Sequence, residues 1–106
     1  MRLKRGVRVA GVRGELVLGL LIAESCHKAI VGPDGPEMII TSLGDGRHSE
    51  GSLHYKGLAV DLRSRYYHDS DEIDAFVALL KRELGPEWDV VREATHVHIE
   101  FDPDPA

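Results

Sequence analysis

The feature that most constrains the fold is the strict alternation of apolar and polar residues in the sequence HVHIEF at positions 96–101. In an extended strand this alternation places three apolar side chains on one face and two histidines and a glutamate on the other. Such a strand is typical of a sheet with one packed and one open face. Because His96 and His98 stand about 6.5 Å apart along the strand, they suit one metal ligand and one acid/base group on either side of a bound water.

Hydrophobic periodicity predicts the other elements. A helix is expected over residues 71–84, capped by Asp69 or Ser70 and ended by Gly85-Pro86. A first helix over residues 15–30 is apolar on most faces, so we expect it to be mostly buried. Strands are predicted over residues 38–42, 58–62, 88–91 and 95–101, and residues 7–10 form either a short strand or an extended arm.

This order of elements favours an α+β fold with a small antiparallel sheet flanked by helices. The predicted core is entirely apolar and consists of Ile39, Val60, Ile73, Phe76, Val77, Leu80, Val97, Ile99 and Phe101. Trp88 is expected in the core, and His27 and His68, which have no motif partner, are expected to be structural or exposed.

Length and charge limit the functional classes. The 106 residues fit a single domain over 1–106, which we expect to be a monomer. The net charge is −5 and the sequence has no long basic run, so the composition argues against nucleic-acid binding. The basic start and the apolar residues 16–23 imitate a signal peptide. However, residues 11–15 separate the two parts and no clear cleavage site follows, so a buried helix is favoured, and the apolar stretch is too short to span a membrane.

A second group of residues lies in the sequence SLHYKGLAVD at positions 52–61, where His54 and Asp61 are seven residues apart. Gly57 permits a tight turn between them. On the predicted strand, Ala59 shares a face with Asp61 and leaves space beside it. Taken alone, each group is most simply a polar surface. Together they supply two imidazoles and one carboxylate as ligands, with a further histidine, and catalytic zinc takes three such ligands while keeping one position open for water.

The pattern Ser-x-His-x-x-Gly-x-Ala-x-Asp followed by His-x-His resembles that of the zinc D-Ala-D-Ala carboxypeptidases and L-Ala-D-Glu endopeptidases. These share a fold core with the hedgehog signalling domain and the penicillin-insensitive murein endopeptidases. The resemblance extends from residue 40 to residue 101. It implies a hedgehog-like fold, zinc ligands His54, Asp61 and His98, and a position for His96 beside the metal.

The general base departs from the family pattern. Some members carry a further histidine where this chain has Glu93, and others place the catalytic carboxylate where it has Thr95. Glu93 is therefore our first choice as the base, with His96 replacing or assisting it. Arg47 is the nearest candidate for the cation that holds a substrate carboxylate or polarises the scissile carbonyl. The alternative for Glu93 and Arg47 is that they are solvated loop residues.

The resemblance implies a zinc metallopeptidase that hydrolyses the stem peptide of bacterial peptidoglycan, either as a carboxypeptidase or as an endopeptidase. The small size is similar to that of a phage lysin or virion-associated peptidase. Such a protein would stay in the cytoplasm until release, or travel with the virion, and act on the cell wall. Two alternatives stay open: a non-catalytic zinc-containing binding or structural domain of the same fold, and a phage structural domain without metal.

Overall fold

The computed structural model describes residues 1–43 and 58–103, which form two helices and a five-stranded sheet. The elements follow one another as β1 (Arg2–Leu3), α1 (Gly14–Val31), β2 (Ile39–Ser42), β3 (Ala59–Arg63), α2 (Ser70–Leu84), β4 (Trp88–Arg92) and β5 (His96–Phe101). The strand order across the sheet is β1-β2-β3-β5-β4. The predicted α+β class is therefore confirmed. Within the described residues, neither helix has the length and apolar character needed to cross a membrane.

The sheet is mixed because β1 adds to its edge parallel to β2, whereas the other neighbouring strands pair antiparallel. The Arg2 amide donates to the Met38 carbonyl and the Lys4 amide donates to the Ile40 carbonyl, both at 2.8 Å. Residues 7–10 are not a strand, and their place in the sheet is taken by the two residues Arg2–Leu3. The prediction of an antiparallel sheet is wrong only for β1, which pairs parallel to β2. A strand of two residues is too short to leave a periodic pattern in the sequence.

The helix α2 begins and ends as its sequence predicts. The Asp69 side chain accepts a hydrogen bond from the Glu72 amide at 2.9 Å, so Asp69 is the N-cap. Gly85 ends the helix with a φ of +89°, a conformation that glycine adopts without a Cβ clash. Phe76 and Leu80 are fully buried, while Ile73 and Val77 are partly buried against the same core.

One face of the sheet packs against both helices. Val97 and Ile99 on β5, and Val60 on β3, are fully buried on this face, which confirms the register expected from the alternation. Ile39 is buried as predicted. Phe101 is only partly buried and packs against the Trp88 ring, with 5.2 Å between the ring centroids. The histidine-bearing face of β5 is consequently directed away from the helices.

The prediction that α1 is mostly buried is wrong for its outer face. Leu16 and Ala23 are fully buried, but Leu18 and Leu21 are 64% and 53% exposed. Two helices side by side on one sheet bury only the stripe of each that faces the sheet or the other helix. At the inner stripe, Gly19 brings the α1 backbone against the ring of Trp88, and a Cβ at Gly19 would lie 2.2 Å from the nearest ring carbon.

Candidate metal centre

The antiparallel pairing of β3 with β5 brings the two sequence motifs together. Asp61 lies directly opposite His98, and Arg63 lies directly opposite His96. Because paired residues of an antiparallel ladder point to the same side, all four belong to the face away from the helices. Two of the three predicted zinc ligands are therefore neighbours. The third, His54, and the predicted cation Arg47 lie outside the described residues.

The carboxylate of Asp61 lies between the two imidazoles of β5. Its Oδ1 is 2.8 Å from His98 Nδ1 and 3.6 Å from His96 Nε2. The Asp61 and His98 side chains are 14% and 19% exposed, so both are reached by solvent while being held by the sheet. The other ring nitrogen of His96, Nδ1, is 3.1 Å from the Thr95 hydroxyl. The Asp61 carboxylate is thus within hydrogen-bond distance of the His98 ring, and the His96 ring lies slightly beyond that distance.

The ring of His98 has a carboxylate at each nitrogen. Its Nε2 lies 3.1 Å from Glu100 Oε1, on the side opposite to Asp61. The hydrogen bond to Asp61 raises the pKa of His98, and the negative charges of Asp61 and Glu100 act in the same direction against the cost of burial. In the metal-free protein this environment favours an imidazolium that donates to both carboxylates. When Nδ1 loses its proton, Nε2–H can still donate to Glu100.

Two donors of this group, a carboxylate oxygen and an imidazole nitrogen, are of the kinds that zinc takes as ligands. Asp61 Oδ1 and His98 Nδ1 are 2.8 Å apart, and two ligand atoms of a tetrahedral zinc are separated by roughly 3.3 Å. Both donors can therefore turn to one ion with a small movement. Glu100 then holds the remote nitrogen of His98, which is the usual arrangement of a metal-bound imidazole backed by a carboxylate.

The predicted base Glu93 lies at the turn between β4 and β5, where its side chain is exposed. Its amide donates to the His96 carbonyl at 2.9 Å. The β4–β5 register pairs Arg92 with Val97, so Glu93 is opposite His96, one row of side chains away from His98. Of the two candidate bases, His96 is the one whose ring lies close to Asp61, with its Nε2 at 3.6 Å from Asp61 Oδ1.

Glu100 also belongs to a second group of side chains, made of carboxylates only, while two other histidines lie apart from this centre. Asp89, Glu100 and Asp102 place three carboxylate oxygens within 4.8 Å of one another, the one such group of at least three potential ligands found among the described residues. An all-oxygen set is typical of hard cations and not of zinc. His27 is buried between the Tyr67 hydroxyl at 2.6 Å and the Pro36 carbonyl at 2.5 Å, so it is structural, as predicted. His68 is exposed.

Two residues of the site were not assigned a role by the sequence. Glu100 and Arg63 each lie two positions from a predicted ligand, His98 and Asp61 respectively. The period-2 alternation of a strand places such neighbours on the same face. The alternation therefore indicated the face on which Glu100 and Arg63 lie. It could not indicate which atoms they contact, because contacts also depend on side-chain rotamers and on the neighbouring strand.

The chain has no match among protein-family models, curated proteins or solved structures.

Proposed function

We propose that this protein is a zinc-dependent metallopeptidase that hydrolyses peptide bonds in bacterial peptidoglycan. The observation that carries the proposal is the approach of Asp61 Oδ1 to His98 Nδ1 at 2.8 Å, with His96 Nε2 at 3.6 Å from the same oxygen. Two motifs that resemble one peptidase family thus supply adjacent donors on neighbouring strands. The stem peptide is the substrate class that this resemblance implies.

In the proposed centre, Asp61 and His98 bind zinc together with His54. The chemistry that zinc supplies in such sites is polarisation of a carbonyl and a lower pKa for water, about 7. Asp61 and Glu100 hold the His98 ring from both sides, so the orientation of its Nδ1 is fixed before any ligand binds.

His96 is the residue best placed to accept a proton. Its Nε2 points towards Asp61 Oδ1, and its Nδ1 is within hydrogen-bond distance of the Thr95 hydroxyl, which can fix the tautomer. Glu93, the first choice from the sequence, is exposed at the turn and lies one row further along the face. We therefore propose His96 as the general base and keep Glu93 as a candidate that assists it.

The family resemblance also supports a phage-lysin-like setting, in which the protein stays in the cytoplasm until release or is carried by the virion before acting on the cell wall. Carboxypeptidase and endopeptidase activities are both compatible with one zinc and one base, because the same hydrolytic step serves either bond.

Digestion of purified peptidoglycan with the zinc-loaded protein, followed by mass spectrometry of the released ends, tests the proposal. We expect new amino and carboxyl termini within stem peptides, and we expect His98→Ala to abolish them. His68→Ala is the matched control because it removes an exposed histidine elsewhere. Absence of digestion by a zinc-loaded, folded wild-type protein would refute the enzymatic function.

A second candidate is a non-catalytic zinc domain of the same fold. The exposed position of Glu93 favours it, since the carboxylate first expected to act as base lies one row of side chains from His98. This candidate predicts one bound zinc per chain and no digestion. The metal-free structural alternative predicts no bound zinc and no digestion. Metal analysis and the digestion together separate the three.

A further inference from the structure

A cleft of about 380 Å³ opens beside His96, on the side away from the Asp61–His98 pair. Its walls come from the residue after β1, from β2, from the end of β3 with the residues after it, and from the β4–β5 turn with the first residue of β5. The charged side chains in its lining are Lys4, Arg63 and Arg65. We call this cavity the basic cleft.

Among the described residues, the lining of the basic cleft contains three cations and no carboxylate. Within the described part of the chain, Lys4, Arg63 and Arg65 have no ion-pair partner. This is unusual for a chain whose net charge is −5, because acidic residues are in excess elsewhere. A second cavity, of about 340 Å³, shares Lys4 and Arg63 with the basic cleft and adds Arg2 and Arg5, and none of its described lining residues is acidic. Positive charge that the protein leaves uncompensated at a concave surface attracts an anionic ligand.

Arg63 connects the basic cleft to the proposed metal centre. It lies two residues after Asp61 on the same face of β3 and directly opposite His96. Two residues along a strand span about 6.5 Å, and each residue of an extended peptide spans about 3.3–3.6 Å. A peptide whose scissile carbonyl lay at the metal centre would therefore bring a group one or two residues away into the basic cleft.

We propose that the basic cleft binds a free carboxylate of the peptide substrate, one or two residues from the bond that is cut, with Arg63 as its central ligand. The inference rests on the proposed peptidase function. It assigns the carboxylate-binding role, which the sequence suggested for Arg47, to residues of β3 and its neighbours. It also predicts that the preferred substrate carries a free carboxyl group close to the scissile bond.

The chemistry of the lining supports a carboxylate. An arginine guanidinium can donate two parallel hydrogen bonds to the two oxygens of a carboxylate. The Thr95 hydroxyl also lines the basic cleft, and when it accepts from His96 Nδ1–H it can donate its own proton to a carboxylate oxygen. The Thr41 hydroxyl, in the same lining, already donates to the Asp61 backbone carbonyl at 3.3 Å. Arg63 is half-buried, so less of its interaction energy is lost to water than at a fully exposed arginine.

The test measures binding and not turnover, so that it stands apart from catalysis. The probes are an acetylated tripeptide ending in D-Ala-D-Ala with a free carboxylate, and the same peptide as a C-terminal amide. Binding to the metal-free full-length chain is followed by calorimetry or NMR. We expect the acid to bind about tenfold or more tightly than the amide, since a charge-assisted hydrogen bond contributes on that scale.

Arg63→Gln should remove this preference, and Arg63→Lys should restore only part of it because lysine cannot make the paired contact. Arg8→Gln, which removes an exposed charge outside both cavities, should keep the preference. Equal binding of acid and amide by the wild type, or an unchanged preference in folded Arg63→Gln, would overturn the inference. If the preference is present and zinc-loaded protein fails to digest peptidoglycan, the proposed peptidase function fails while the carboxylate site stands.

Discussion

Replacing Glu100 with glutamine tests whether the carboxylate behind His98 prepares that ring for metal binding. Glu100 Oε1 lies 3.1 Å from His98 Nε2, while His98 Nδ1 points to Asp61. With a carboxylate at Nε2, the neutral ring keeps its proton there and leaves the Nδ1 lone pair for the metal. Glutamine keeps the size of the side chain and can still accept a hydrogen bond through its carbonyl oxygen, but it removes the negative charge.

The size of the effect follows from this geometry. Loss of a carboxylate that orients a metal-bound histidine costs about 10–100-fold in metal affinity, or about 1.4–2.8 kcal/mol. Because glutamine can keep the hydrogen bond, we expect Glu100→Gln near the tenfold end. Glu100→Ala removes both the charge and the acceptor, so we expect it near the hundredfold end. The order of affinities should therefore be wild type, then glutamine, then alanine.

Zinc affinity is measured by competition with a chromophoric chelator at fixed pH, which requires no substrate. Nitrogen-15 NMR of the imidazole rings reports in the same samples which nitrogen of His98 carries the proton. Asp89→Asn is the matched control. Asp89 lies directly opposite Glu100 on β4 and carries the same charge on the same face, one strand further from His98.

If Asp89→Asn weakens zinc binding as much as Glu100→Gln does, the effect is one of general charge and the orienting role is refuted. Wild-type affinity in both Glu100 variants would refute it as well. A wild-type protein that binds no zinc would instead refute the metal centre itself.

Three other expectations can be measured directly. Gly19→Ala should lower the free energy of unfolding in urea by about 1–2 kcal/mol. Its Cβ would lie 2.2 Å from a Trp88 ring carbon, and this clash exceeds the roughly 1 kcal/mol gain in helix propensity. Gly14→Ala, where nothing lies within 4 Å, should cause no loss, and equal effects in the two variants would contradict the packing. The pKa of His98 is raised above its ordinary value of 6.5, so its stabilising contribution is present below that pH and is lost as the pH rises through the folded pKa. The melting temperature of the metal-free protein should carry a component that falls over this range and disappears in His98→Gln; a rising component would contradict it. Asp61→Ala should lose the single zinc in metal analysis and abolish the rise in melting temperature that zinc gives the wild type; retained zinc would exclude Asp61 as a ligand.

Local pattern in the sequence was sufficient to predict the helices and the inner strands. The cap at Asp69 and the terminating Gly85 are local signals, and both act in the structure as predicted. The two-residue strand Arg2–Leu3 could not be predicted, since it forms only because the β2 edge is available to it. The exposure of Leu18 and Leu21 was missed for a related reason. Periodicity shows that a helix face is apolar, but the number of neighbouring elements decides whether that face is covered.

The candidate site divides in the same way. Alternation predicted that His96 and His98 share a face, and the family resemblance implied that Asp61 lies beside His98. The β3–β5 register places the three residues on one face. The contact of Glu100 with His98 was not predicted because it depends on the rotamers of two side chains of β5. The proposed role of Arg63 was not predicted because it depends on a cavity that several elements form together. Glu93 lies just before β5, as the sequence indicated. The length of the β4–β5 turn decides that it stands opposite His96 and not opposite His98.

The pairing of β3 with β5 also has a consequence for how long the folded state lasts. Asp61 and His98 are 37 positions apart in the chain. Closing a loop of that length is entropically unfavourable until α2 and β4 are in place to compensate. We therefore expect Asp61 and His98 to meet late in folding, after much of the native surface has been buried. A metal held by them would stabilise the native state more than the transition state for folding, and so would act mainly by slowing unfolding. Where proteases are abundant, that added lifetime would matter more than a faster folding rate.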